Sequence, residues 1–177
     1  MTCQSLVLSG IDCRCEPSVG GIKRILIANH DDVTPTVDEA TKEISAITLA
    51  KGTKFTEWRF RKNTGSYTST ATVDPTIGNS AVTTEVNLQF SRAENTKRLE
   101  IQTALNGSAV VIVEDMYGQH IYLGLDNEVT ITSAVMQSGT ATSDLSGFTL
   151  TFQDVAEELP HFIASGVKVD DLLVATV

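Results

Sequence analysis

The sequence predicts a mainly β protein of two packed antiparallel sheets, a β-sandwich or incomplete barrel, with one flanking α-helix over residues 92–105. Three observations predict it. Short runs rich in Val, Ile, Thr and aromatic residues recur along the chain, several alternating apolar with polar at the period of a half-buried strand. Clusters of Gly, Pro, Asn and Asp punctuate them. Only SRAENTKRLEIQTALNG combines helical spacing with start and stop signals.

In chain order, GIKRILIA (21–28) is an apolar, β-branched run that reads as a buried strand, closed by the turn-prone Asn29-His30-Asp31-Asp32. DDVTPTVDEATKE is polar, carries a Pro and reads as a connecting loop; AITLAKG reads as a short strand ending in a Lys-Gly turn. In KFTEWRFR, period two puts Trp58 and Phe60 on a core face and Glu57, Arg59 and Arg61 on a wet or paired one. SYTSTATV and SAVTTEVNLQFS follow, joined by the DPTIGNS turn, and read as antiparallel neighbours.

SAVTTEVNLQFS has the clearest alternation, with Val82, Thr84, Val86, Leu88 and Phe90 on one face and Thr83, Glu85, Asn87 and Gln89 on the other. Ser91 and Glu94 then form an S-x-x-E capping box, and Asn106-Gly107 supplies the stop, so the helix is expected over Arg92–Leu105. Its apolar stripe is Ala93, the Lys97 stem, Ile101, Ala104 and Leu105, with Leu99 off the stripe. AVVIVE and QHIYLG form a hairpin around Met116–Gly118; EVTITS and GFTLTFQ complete the strands, separated by the QSGTATSDLSG loop. Beyond Pro160, VKV and LLVATV read as one or two further strands.

At 177 residues, with 41% apolar and 20% charged residues, the chain fits a single domain with extended segments at 1–20 and 164–177. Thirteen basic against 22 acidic residues give a net charge of −9, which disfavours tight binding of phosphate backbones. No apolar run approaches the ~20 residues of a membrane helix, and MTCQSLVLSG lacks the features of a signal peptide, so synthesis in the cytosol is expected. Cys3, Cys13 and Cys15 have no His nearby to complete a zinc spacing, and read as reduced thiols without a catalytic role.

No phosphate-loop, dinucleotide, zinc-protease or esterase motif occurs, so no catalytic, cofactor or metal residue is assigned and no enzyme activity is expected. His30, His120 and His161 are scattered, and His30-Asp31-Asp32 reads as a turn before a metal cluster. Glu114-Asp115 and Glu157-Glu158 read as solvated strand ends. A hydrophobic end such as LLVATV docks on its own domain or on a neighbour.

This order of elements, with GGIKRILIANHDDV, EWRFRKNTGSYTSTATVDPTIGNSAVTTEVNLQFSRAENTKRLEIQTAL, VVIVEDMYGQHIYLGLDNEVTITS and SGTATSDLSGFTLTFQDVAEELPHFI, resembles the tail tube-like structural virion proteins of tailed bacteriophages that infect Bacteroidetes, with relatives among crAss-like phages. The resemblance covers residues 10–163. It implies a tail-tube-like fold and self-assembly into six-fold or twelve-fold rings that stack, or sit beneath a portal, around a channel for DNA. The implied partners are copies of the chain itself, neighbouring tail or connector proteins, and passing genomic DNA held without specific contacts; no membrane is implied, and the place is the virion. Six copies would carry roughly −54 in sum, and an acidic lumen would let DNA slide.

Within that expectation the subunit-interface candidates are Leu99, off the helix stripe; Arg59 and Arg61, on the charged strand face; Pro75 and Asn79, in a turn; and Leu172 and Leu173, in the apolar end. The loop from Asp31 to Glu43 is expected to reach a neighbour. Two rival readings are a carbohydrate-binding or adhesion module, which needs an exposed aromatic platform, and a small hydrolase, which needs a pocket gathering His120 or His161 with a carboxylate.

Overall fold

The computed structural model describes residues 19–74, 76, 79–141 and 143–174. Cys3, Cys13, Cys15 and Pro75 lie outside these, and Asn79 is described for its backbone alone. The elements are β1 (Ile22–Asn29), β2 (Val33–Val37), β3 (Ile44–Leu49), β4 (Thr56–Arg59), β5 (Gly65–Asp74), β6 (Asn79–Ser91), α1 (Asn95–Leu105), β7 (Ala109–Asp115), β8 (His120–Leu123), β9 (Thr130–Gln137), β10 (Gly147–Ala156) and β11 (His161–Phe162).

Two antiparallel sheets face each other, one of order β11-β8-β7-β1-β4 and one of order β5-β6-β10-β9. The mainly β, sandwich-like fold predicted from the alternation is therefore present. Between the sheets Ile25, Val111, Val113 and Leu123 of the first meet Val86, Leu88, Leu150 and Phe152 of the second, all essentially without solvent exposure. Burying each such side chain stabilises the fold by about 1.5–3 kcal/mol. The β6 face read from the sequence is the buried one, from Val82 to Phe90, with Thr84 among the apolar residues. The β7–β8 hairpin turns where expected, with the Asp115 carboxylate accepting the amides of Tyr117 and Gln119 at 2.8 and 2.9 Å.

The first sheet is buried on both faces. Its far side carries a second core, in which Leu26, Val110, Ile112 and Tyr122 pack with Val33, Ile44, Phe55 and Val169. This explains why β1 and β7 are almost continuous apolar runs without alternation. The cover is a two-stranded β2–β3 ribbon and the C-terminal segment. The stretch expected to be a loop between Asp31 and Glu43 thus contains a strand. β2 accepts Pro35 opposite Ile47 because it lies at the edge of a two-stranded ribbon.

VKV and the described start of LLVATV, Leu172–Val174, do not form full strands, and Ala175, Thr176 and Val177 lie outside the described residues. Val169–Leu172 is a single 3₁₀ turn, and Leu173 bridges Phe55 in parallel. Lys168-Val169-Asp170-Asp171 turns back on itself so that Val169 fills the second core while Asp170 reaches Arg24.

The helix also begins later than the capping box predicts. β6 continues through Ser91, which pairs with Gly147, so Ser91 is committed to the sheet and cannot cap. Arg92 then takes a left-handed conformation (φ 70°), and α1 opens at Asn95 with Glu94 at the cap position and no side-chain cap bond. The Lys97 ammonium does the joining instead: it donates to the carbonyls of Ser91 and Arg92 at 2.8 and 3.2 Å and pairs with Glu94 at 3.5 Å. Of the predicted stripe only Ile101 is fully buried; Lys97 and Ala104 are half-buried, while Ala93 and Leu105 are exposed.

One buried polar row crosses the second sheet, where Ser69, Thr84 and Asp154 lie side by side in register. Ser69 and Thr84 share a hydroxyl hydrogen bond of 2.8 Å. Asp154 is 4% exposed; one carboxylate oxygen accepts the Gly124 amide at 3.4 Å and the other has no side-chain or main-chain partner among the described residues. Burial pushes this carboxyl above its usual range, the Gly124 amide opposes that in part, and the charge of Asp126 adds to it. A folded-state pKa above the unfolded one means stability is fully present below the ordinary Asp range and falls as pH rises through the raised value. Asp154→Asn is therefore expected to stabilise the chain at pH 7 relative to pH 3.5 by about 1–2 kcal/mol. Thermal unfolding across that range tests this, and an equal effect at both ends would rule out ionisation as the cause.

Candidate functional site

Two groups of residues stand out from the packing. The first is an ion cluster on the far face of the first sheet. Arg24 of β1 is surrounded by three carboxylates: its Nε donates to Glu114, Nη1 to Glu57 at 3.0 Å, and Nη2 to Asp170 at 2.7 Å. Lys23 adds a 2.5 Å bond to Glu114, and Arg59 a 2.9 Å pair with Glu57. The strand register places Arg24 directly between Arg59 on β4 and Glu114 on β7. Glu114 is 4% exposed at its side chain; burial works against its charge, but Lys23 and Arg24 outweigh that and hold its carboxyl below the usual range. Burial likewise opposes the Arg24 charge, and bonds to Asp170, Glu114 and Glu57 overcome it.

Glu114 thus belongs to the buried ionic framework and not to a solvated strand end. The charged face of β4 is likewise only partly wet, because Glu57 is tucked beside Arg24 under the C-terminal segment. The cluster is saturated with partners and is built to fix the C-terminal segment to the sheet.

The second group is the four-stranded sheet itself. Its edges are β5, ten residues long, and β9, eight residues long. Soluble proteins guard such edges with Lys, Pro, short strands or a covering element. β5 (GSYTSTATVD) and β9 (TITSAVMQ) contain no Lys, Arg or Pro, and their one charge is Asp74 at the end of β5. The edges of the other sheet, β4 and β11, are only four and two residues long. Exposed apolar side chains lie on both long edges: Val73 on β5, and Val135 and Met136 on β9. Between them the outward face is a lawn of Thr68, Thr70, Asn87, Gln89, Thr149 and Gln153, with two charges, Glu85 and, at the end of β5, Asp74, both acidic.

The interface candidates fall in different places. Leu99 is 51% exposed on α1, as its position off the stripe predicts. Arg59 is exposed at the end of β4, and Arg61 is exposed just beyond it without an ion-pair partner among the described residues. Asn79 opens β6 at the tip of the β5–β6 hairpin. Leu172 and Leu173 are partly buried against the second core of their own chain, so they do not extend outward. The edge strands carry none of the predicted candidates. Their signal in the sequence was the absence of charge and Pro from GSYTSTATV and TITSAVMQ, which only the strand order turns into an edge.

The imidazoles remain on separate elements. His30 lies 3.8 Å from Asp31, while His161 contacts the Lys42 carbonyl at 2.6 Å and Glu158 at 3.6 Å. His120 sits 3.6 Å from Glu114 and lines a cleft of about 460 Å³ with Glu43 and Ser165. No hydroxyl is hydrogen-bonded to His120 among the described residues, and the carboxylate beside it is already neutralised by Lys23 and Arg24. Trp58 is half-buried and meets Phe90 and Phe152 edge to face, and the exposed rings of Tyr67, Tyr117 and Phe162 belong to different elements. Among the described residues no group of three or more His, Cys, Asp or Glu is placed to hold a metal ion, and no helix is long and apolar enough to cross a membrane. The chain matches no protein-family model and no curated protein.

Proposed function

We propose that the protein is a non-enzymatic structural subunit that closes into rings by pairing the β9 edge of one copy with the β5 edge of the next, and that these rings form a phage tail tube or head-to-tail connector around a DNA channel. The observation that carries this reading is the pair of long, unguarded edges on one sheet. Two different edges make a head-to-tail contact, and repetition of such a contact closes into a ring or winds into a filament. The sheet between them offers Thr, Asn and Gln to whatever passes, with Glu85 and no cation in the paired rows to hold phosphate. That suits a channel for DNA better than a nucleic-acid binding face.

Negative-stain electron microscopy of the purified protein, with sedimentation at rising concentration, tests the reading. Rings with a central hole are expected, and a monomer at every concentration overturns it. Leu99→Glu separates helix packing from assembly. The side chain is exposed, so folding stability is expected to change by less than about 0.5 kcal/mol. Ring formation weakens at the same time if α1 meets a neighbour, and unaltered sedimentation removes Leu99 from the interface. A hydrolase reading has the His120 cleft in its favour, but there the nearest carboxylate is held by two cations.

A further inference from the structure

The four-stranded sheet carries opposite charge at its two ends. Its strands are all antiparallel, so one end gathers Gly65 of β5, Ser91 of β6, Gln137 of β9 and Gly147 of β10, and the other gathers Asp74, Asn79, Thr130 and Ala156. At the first end Arg61, Lys62 and Arg92 are exposed, and Arg61 and Arg92 line one cleft of about 490 Å³. The carboxylates beside them are engaged: Glu94 pairs with Arg92 and Lys97 at 3.3 and 3.5 Å, and Asp144 accepts the amides of Thr140 and Ala141, both at 2.8 Å. Arg61 and Lys62 are left without an ion-pair partner among the described residues.

At the second end Asp74, Asp126, Glu128, Glu157 and Glu158 are exposed. The Asp126 carboxylate accepts the Glu157 amide at 3.3 Å, and Asn127 donates to the Val155 carbonyl at 2.8 Å, so this turn is pinned to the end of β10. The basic groups that reach these carboxylates among the described residues are Lys42 and His161, both at Glu158, at 3.9 and 3.6 Å. β10 is ten residues long, so the two ends stand about 30 Å apart, against a screening length of about 8 Å at physiological salt. Neither end can neutralise the other within one chain.

We propose that the two ends are one interface between copies of this chain, in which Asp126, Glu128 and Glu157 of one copy meet Arg61, Lys62 and Arg92 of the next. This rests on the ring reading: edge pairing through β5 and β9 leaves both strand ends free, so each ring has one basic face and one acidic face, and rings join with a single polarity. Like faces repel, which excludes head-to-head joining. One exposed contact of this kind is weak, and repetition around a ring makes it strong. A second copy suits the cations better than a nucleic acid does, because Glu94 and Asp144 stand among them and the chain carries −9 overall.

Charge reversal at each end gives the test, read as stack length by electron microscopy. A chain with Arg61→Glu and Lys62→Glu, and another with Glu128→Lys and Glu157→Lys, are each expected to form single rings that do not stack. Rings of the two kinds mixed together, or of one chain carrying all four substitutions, are expected to stack again, because opposite faces are restored. Raising salt from about 0.1 M to about 1 M shortens the screening length from about 10 Å to about 3 Å and should reduce stacking of the unaltered rings at least tenfold. Single rings whatever the charge at either end, or stacks indifferent to both reversals, overturn the proposal and leave the ring reading in place; absence of rings overturns that reading and this one with it. Binding of a labelled DNA duplex that is lost on Arg61→Glu and Lys62→Glu while stacking is unchanged assigns the cations to phosphate, and also overturns it.

Discussion

Mixing a Val73→Lys chain with a Met136→Lys chain is expected to yield a dimer and nothing larger. Each substitution puts a charge on one edge strand, Val73 on β5 or Met136 on β9, at side chains 67% and 62% exposed. Either alone should leave folding stability within about 0.5 kcal/mol, because no buried contact is lost. Either alone should also abolish rings, since every head-to-tail contact uses one β5 and one β9. In the mixture, the intact β9 of the first chain still meets the intact β5 of the second, and both remaining edges are blocked. Sedimentation velocity distinguishes the outcomes. Larger species in the mixture, or rings from either single variant, would show that assembly does not run through these edges.

The second large effect concerns Arg24. Arg24→Met should destabilise the chain by about 3–5 kcal/mol, because it leaves Glu114 buried with Lys23 as its one remaining close cation and releases Asp170. Arg24→Lys should recover only part of this, since one ammonium cannot reach three carboxylates in the directions that the guanidinium fork does. Glu114 has a depressed carboxyl pKa, so the stability it contributes is present above the ordinary Glu range and is lost as pH falls through the depressed value. The cost of Arg24→Met should accordingly shrink in acid. Urea unfolding at neutral and acid pH measures it, and a cost below about 1 kcal/mol at neutral pH would mean that water replaces the guanidinium.

The parts of the fold legible in the sequence were those dictated by local period. The alternation from Val82 to Phe90 names its own buried face, and the MYG turn names its hairpin. What was illegible depended on partners distant in the chain. Nothing local says that Ser91 will be consumed by Gly147, and once it is, the capping box cannot form. The polar DDVTPTV stretch looked like a loop because a ribbon strand that buries only Val33 fully has almost no apolar signature. Nothing local in GIKRILIA singles out Arg24, whose three carboxylates come from β4, β7 and the C-terminal turn. The site candidates suffered likewise: exposed residues could be guessed, but an edge is a property of strand order.

That strand order also has a consequence for how the chain folds. Arg24 and Glu114, which lie face to face at the centre of the first sheet, are 90 residues apart in the chain. Strand β1 is made early and carries the apolar run Ile25–Ala28, yet it has no β7 to pair with until two thirds of the chain exists. The β5–β6 hairpin, by contrast, closes on itself and forms quickly. Long-range pairing is slow, so the nascent protein passes through a stage in which one sheet is half built and IKRILIA is uncovered. The chain therefore spends part of its synthesis with this apolar segment exposed, and its yield is expected to depend on how soon β7 arrives.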